Sequence, residues 1–214
     1  MKTFSKILLI LIFIMWTTES FTQNFGIRAG LNLSNLLVKD NDERYSDDFK
    51  IKPGFHVGAT VEFPINEMFG IETGIIASTK GFKLNEEDVG YNGSWTLYYI
   101  DIPINGKVYY DAGGVKIYGA FGPYLGIGIY GAAKVTYMDE TEKEDIKWGN
   151  DDEEDDLKRF DMGLSFGAGV EVKSFVFGIS YNLGLLNISP YVEDGAKIKN
   201  RVLGISVGIK FGDK

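Results

Sequence analysis

The chain carries one histidine, no cysteine and one dense run of acids, and these set the chemistry its side chains could do. His56 stands at alternating parity with Phe55, Val57 and Ala59. A lipid-acting barrel hydrolase needs a His–Ser pair presented outward, whereas His56 falls on the polar side of its strand. It reads as a lumen histidine. No HExxH, phosphate loop or G-x-S-x-G occurs. "GPYLGIG" is glycine-rich but lies within a strand pattern and opens no helix, so a dinucleotide fingerprint is excluded. "NLS" (Asn32–Ser34) and "NGS" (Asn92–Ser94) match a glycosylation acceptor pattern, a three-residue match of little specificity. The run "DETEKEDIKWGNDDEEDD" holds eleven acids against Lys143 and Lys147 between Asp139 and Asp156. Such density can gather divalent cations or a basic partner, but it lacks the order of an EF-hand loop. It is expected as a flexible, solvated, self-repelling loop. With no cysteine there is no disulfide, thiolate metal site or cysteine nucleophile. No cofactor is expected, and the chain is not read as an enzyme.

The elements that must position these residues are strands. "FGIRAGLNLS" (Phe25–Ser34) puts Phe25, Ile27, Ala29, Leu31 and Leu33 on one face and Gly26, Arg28, Gly30, Asn32 and Ser34 on the other. Seven further segments alternate in the same way. They are "PGFHVGATVEF", "FGIETGIIAST", "LYYIDIPINGKVYY", "VKIYGAFGPYLGIGIYG", "FDMGLSFGAGVEV", "FVFGISYNLGLL" and "VLGISVGIKF". Most approach the ~10 residues of a tilted bilayer-crossing strand, and helical spacing fits none. Short joins ("PINEM", "DAGG", "KS") alternate with long ones (35–52, 81–96, 132–159 and 187–201). That is the pattern of an outer-membrane barrel whose short side is periplasmic. The fold class is therefore all-β: an eight-stranded antiparallel up-and-down transmembrane β-barrel.

A soluble barrel also alternates, so the second face decides between water and lipid. It is glycine-rich, with Gly26, Gly30, Gly58, Gly74, Gly122, Gly126, Gly169 and Gly208 among others. Glycine serves a crowded lumen and not a solvated surface. The aliphatic face accordingly points to lipid. Phe25, Phe63, Phe69, Tyr110, Phe175 and Phe211 fall at the short-turn ends and read as a periplasmic aromatic girdle. Inward parity collects Arg28, Glu62, Glu72, Asp101, Lys107, Lys116, Asp161, Glu171 and Lys210. This near-balanced set is read as a structural ion-pair network filling the lumen. Pro103 and Pro123 fall mid-strand. Folding about "DAGG" sets Pro103 opposite Gly122 and Ile102 opposite Pro123, with one shared bulge expected there.

Lys2 and Lys6, then "ILLILIFIMW", then Ser20 and Thr22, form a secretory signal over residues 1–22, cleaved before a barrel spanning 23–214. It is the one helix expected. The net charge is −8 with no basic patch outside the signal, which argues against nucleic acid as a partner. The expected setting is the outer membrane, as a monomer surrounded by lipid and lipopolysaccharide.

"NFGIRAGLNLSNL", "FGIETGIIASTKGFK", "LYYIDIPINGKVYY", "YGAFGPYLGIG", "FDMGLSFGAGVEV" and "SYNLGLLNI" resemble the small outer-membrane barrel domain of Bacteroidota, the PorT-like group, over nearly all of 23–211. "IDIP" and "GPYLG" are the most specific segments. The resemblance implies an eight-stranded barrel inserted by the barrel-assembly machinery, with some relatives tied to protein secretion and no catalytic motif to transfer. The chain departs from the group's terminal aromatic signal by continuing three residues past Phe211. The functional expectation is a structural or interaction barrel acting through its long extracellular loops. The alternative is a narrow channel for small solutes or ions, and a lipid-modifying enzyme comes last.

Overall fold

The computed structural model of the chain describes residues 23–41, 43, 45, 49–86, 91–137 and 140–212. The expected signal segment, residues 1–22, lies outside them. Nine strands form in chain order: β1 (Asn24–Lys39), β2 (Lys52–Pro64), β3 (Phe69–Glu86), β4 (Tyr91–Asp111), β5 (Val115–Tyr137), β6 (Glu140–Asp145), β7 (Phe160–Val172), β8 (Phe175–Gly184) and β9 (Lys197–Phe211). A 3-10 turn, Glu193–Gly195, precedes β9. All pairings between these strands are antiparallel. The ring runs β1-β2-β3-β4-β5-β7-β8-β9 and closes through β9–β1, while β6 hangs on the outer end of β5. Eight strands thus make the barrel, and closure leaves the ring no unpaired edge.

The barrel is inverted relative to a soluble protein. Leu31 is 64% exposed and Ile75 63%, whereas Lys107 is 3% and Asp161 0%. A continuous outer wall of Phe, Ile, Leu and Val is stable only against hydrocarbon. Among the described residues no helix is long and apolar enough to cross a membrane. The crossing is made by strands.

The short joins hold as read: residues 65–68, 112–114 and 173–174. In the second, the Asp111 carboxylate accepts the Gly113 and Gly114 N–H groups at 2.9 and 3.1 Å, and both glycines take positive φ. The long joins differ from the reading. β4 and β5 reach 21 and 23 residues, so most of 81–96 is strand, and β3, β4, β5 and β6 rise together beyond the barrel. The proline register differs as well. Pro103 pairs with Tyr124, Ile102 with Leu125, and Pro123 with Leu164 of β7. The bulge lies elsewhere, at Tyr98/Tyr99, where Ile129 is the extra residue of β5. Each proline instead opens a short gap in the ladder. Pro103 O accepts the Thr73 hydroxyl at 2.7 Å there.

The acidic run is not a loose loop. Its first part forms β6, paired with residues 132–137, and the Thr136 and Thr141 hydroxyls meet at 3.0 Å. In the second part the carboxylates bind backbone instead of repelling one another. Asp151 Oδ1 accepts the Glu153 and Glu154 N–H groups, Asp155 Oδ2 that of Asp151, and Asp156 Oδ2 that of Lys147. Asp139 lies outside the described residues.

Replacing Ile179 or Ile205 by arginine, mid-strand on the lipid wall, should destabilise the folded barrel by about 2–4 kcal/mol. Urea titration of the protein in lipid vesicles checks this, with Ser206→Ala on the lumen side as the near-neutral comparison.

Candidate functional site: a sealed lumen

The lumen fills in layers. Nearest the short turns, Lys107 Nζ donates to Glu62 at 2.9 Å, Glu171 at 3.2 Å and Glu72 at 3.3 Å. All three ammonium protons are thereby used. Lys210 bridges Glu171 at 2.6 Å and Glu62 at 3.2 Å, and Arg28 pairs with Glu72. Three bases and three acids from β1, β2, β3, β4, β7 and β9 close into one neutral set. The Lys107 ammonium also lies 4.3 Å from the Tyr118 ring and 5.1 Å from that of Tyr109. The Tyr118 ring can sit there because Gly169 offers no side chain; a Cβ on it would come within 2.6 Å of the Tyr118 hydroxyl.

The next layer is a polar cavity of about 80 Å³, bordered by Arg28, Asn32, His56, Asp101, Tyr118 and Ser165. This is room for a few waters. Asn32 Nδ2 donates to Ser78 Oγ and to the Thr79 and Phe55 carbonyls, which fixes its Oδ1 as an acceptor. The His56 ring therefore donates to it from Nδ1, at 2.8 Å. The hydrogen bond of the sole histidine goes to an amide. Among the described residues no three His, Asp or Glu groups are placed to hold a metal.

Above the cavity a second lysine is buried. Lys80 is 1% exposed and contacts Asp101 at 2.8 Å and Asp161 at 3.1 Å, with the Tyr99 and Tyr124 rings 4.3 and 4.8 Å away. Tyr124 Oη and Asn200 Nδ2 donate to the same Asp161 oxygen. The opening at the long-loop end is then stopped by an apolar cork of Leu97, Tyr99, Ile146, Leu157 and Ile188, with Trp148 and Trp95 packed against it. Trp148 meets Tyr99 edge-on at 5.6 Å and lies flush on Gly128, where an added Cβ would fall 2.4 Å from its ring. Ile146 and Trp148 come from the acidic run and Leu157 directly follows it, the stretch being tied down by Ile146 N to Gly131 O and Lys158 N to Ile188 O.

Of the residues expected in the network, Arg28, Glu62, Glu72, Lys107, Glu171 and Lys210 meet in the lower set, and Asp101 belongs to the upper one. Lys116 does not join. It stands exposed at the short-turn mouth in register with Asp111, because the lumen widens there into an open bowl. The six girdle aromatics lie on the outer wall at the short-turn end, with Phe25 opposite Phe211; Phe63 is half-buried and the other five exposed. Sequence reasoning missed Lys80, since the third strand was ended at Thr79. The parity of Ile76 and Ser78, carried one step further, points Lys80 inward. It missed the cork too, although Ile146, Trp148 and Leu157 are the large apolar side chains of an otherwise charged stretch.

A family model described as "Outer membrane protein beta-barrel domain" matches residues 21–189. The chain belongs to this family. Its place is the cell outer membrane, with β-strands crossing the bilayer. Solved barrels are similar to it. Ail, the attachment invasion locus protein of Yersinia pestis, is 19% identical over 89% of this chain and 99% of its own, with a TM-score of 0.42. Neisserial surface protein A is 14% identical over 87% and 97%, with a TM-score of 0.45. The outer membrane protease OmpT of Escherichia coli is 10% identical over 92% and 99%, with a TM-score of 0.33. No curated protein matches the chain. Membership in the barrel family rests on the family model.

Lys80→Met leaves two buried carboxylates without their cation and should cost this family member about 3–5 kcal/mol. Adding Asp101→Asn and Asp161→Asn should recover most of it. Equilibrium unfolding in vesicles reads both, and equal stability of single and triple variants contradicts the pairing.

Proposed function

We propose that this protein is a non-conducting, non-enzymatic outer-membrane barrel that acts as a structural or interaction element through its extracellular end. The observation that carries this reading is the double closure of the lumen. Any solute would have to cross the Lys107 carboxylate set, the Lys80 cluster and the apolar cork in series. Each step strips water from an ion without replacing its ligands. Among the described residues the lone histidine is hydrogen-bonded to the Asn32 amide, which supports the non-enzymatic side. A closed ring supports a monomer. A finer proposal, a link to protein secretion as in PorT-like barrels of Bacteroidota, draws on the segments "IDIP" and "GPYLG". Crosslinking in native membranes followed by identification of captured proteins tests it, and a set free of secretion components removes it.

The narrow-channel alternative draws on the polar cavity and on the bowl at the short-turn mouth. Planar-bilayer recording separates the two. The wild-type barrel should give no steady openings, and Trp148→Ala with Leu157→Ala should add at most brief flickers, because the Lys107 set still closes the other end. Stable wild-type steps overturn the sealed reading.

A further inference from the structure

The bowl at the short-turn end lies below the Lys107 set and takes no part in closing the lumen. Its volume is about 790 Å³, inside the ~300–1,000 Å³ of small-ligand sites. The floor is neutral, with Lys210 held between Glu62 and Glu171. Tyr109 stands beside them, pointing inward with the parity of Lys107. It is 8% exposed, and its hydroxyl makes no hydrogen bond. A buried phenol in that state is costly unless something entering the bowl meets it.

The rim is charged, and its charges are sorted by position. Glu67 stands on the turn between β2 and β3, Lys173 on the turn between β7 and β8, and Lys116 at the start of β5. All three line the bowl and are exposed. None of the three enters an ion pair or hydrogen bond among the described residues. Asp111, in register with Lys116, uses its Oδ1 on the Gly113 and Gly114 N–H groups. Lys116 is paired with Glu171, so Lys173, two residues on, is its diagonal neighbour. The two lysines thus form one cationic fork.

Glu67 faces that fork from the far side. Between it and Lys173 lie β3, β4, β5 and β7 in one direction and β2, β1, β9 and β8 in the other, which makes them diametric. Eight strands ~4.8 Å apart and tilted ~40° give a backbone diameter of roughly 16 Å. The two charged side chains take up about half of that and leave ~7–8 Å, the length of a chain of about two or three residues. A carboxylate at one end and an ammonium at the other would answer the fork and Glu67 together. The Tyr109 hydroxyl, able both to donate and to accept, suits an amide between those ends.

We propose that the bowl binds short zwitterionic peptides, with the carboxylate on Lys116 and Lys173, the ammonium on Glu67 and the backbone on Tyr109. They enter from the short-turn side, which in outer-membrane barrels is the periplasm. This is a second site, at the opposite end from the interaction role proposed above. It stands whether or not the lumen conducts, so the conductance and peptide measurements fail independently.

Isothermal titration of the full-length refolded barrel in detergent micelles tests it with trialanine, N-acetyl-trialanine, trialanine amide, and acetate with methylammonium. Trialanine should bind saturably, either capped form at least tenfold more weakly, and the separate ions not at all. Lys116→Gln with Lys173→Gln should weaken trialanine at least tenfold and bind it no better than its amide, whereas the matching arginine pair keeps the preference. Glu67→Gln should lose the discrimination against N-acetyl-trialanine and keep that against the amide. The thermal midpoints of these variants should match the wild type, since the altered side chains are exposed and unpaired. No saturable trialanine binding, equal binding of the capped forms, or full affinity in the double glutamine variant overturns the proposal.

Discussion

The structure depends on one constraint: every charge placed between the two ends of the barrel must be answered inside it. Hydrocarbon on the outer wall offers an ion nothing, and eight strands leave too little room for bulk water to do so. Lys107 shows the solution. Its three protons meet three glutamates from three different strands, and two tyrosine rings cover the rest of the ammonium. Because those partners come from β2, β3 and β7, the ion set also fixes the ring's register across its diameter, which the ladder alone sets only between neighbours. Removing one member of such a set costs more than the set as a whole contributes, since the remaining charges cannot reach water.

Strand alternation made most of this legible. Parity sorted Arg28, Glu62, Glu72, Asp101, Lys107, Asp161, Glu171 and Lys210 inward from types and spacing alone. What parity cannot supply is where a strand stops or which residues across the lumen meet. Lys80 was lost to a boundary drawn one residue early. Lys116 has the parity of a lumen residue but sits where the barrel opens, and height along the strand was never encoded in alternation. The expected bulge at the prolines failed for a related reason. Hairpin register follows from turn geometry, and the Asp111–Gly114 turn, with its carboxylate cap and two positive-φ glycines, shifts the pairing by two residues from a plain fold-back.

The acidic segment is the instructive miss. Eleven acids in a short stretch read as mutual repulsion, and on average such runs are solvated. Here the position of each carboxylate matters more than the sum. On β6, Glu140, Glu142 and Glu144 alternate with Thr141 and Lys143 and point one way while Asp145 points the other, and Asp151, Asp155 and Asp156 bend back to backbone N–H groups and shape a compact turn. Inside that turn Ile146, Trp148 and Leu157 find an apolar seat on Leu97 and Tyr99. Charge keeps the exterior of the cap wet, and three hydrophobic side chains decide where it sits.

Alternation thus acts twice in this barrel, and differently on either side of the membrane boundary. Within the bilayer it separates hydrocarbon-facing from ion-paired residues, and the pairing is satisfied within the chain. Beyond the boundary, on β6, the same period turns Glu140, Glu142 and Glu144 to one face and Thr141, Lys143 and Asp145 to the other. Neighbours in sequence there cannot pair with one another, because Lys143 and Glu142 look in opposite directions. The lower lumen set balances three cations against three carboxylates, whereas the upper one holds Lys80 alone between Asp101 and Asp161 and leaves the Tyr124 hydroxyl and the Asn200 amide to answer the second carboxylate.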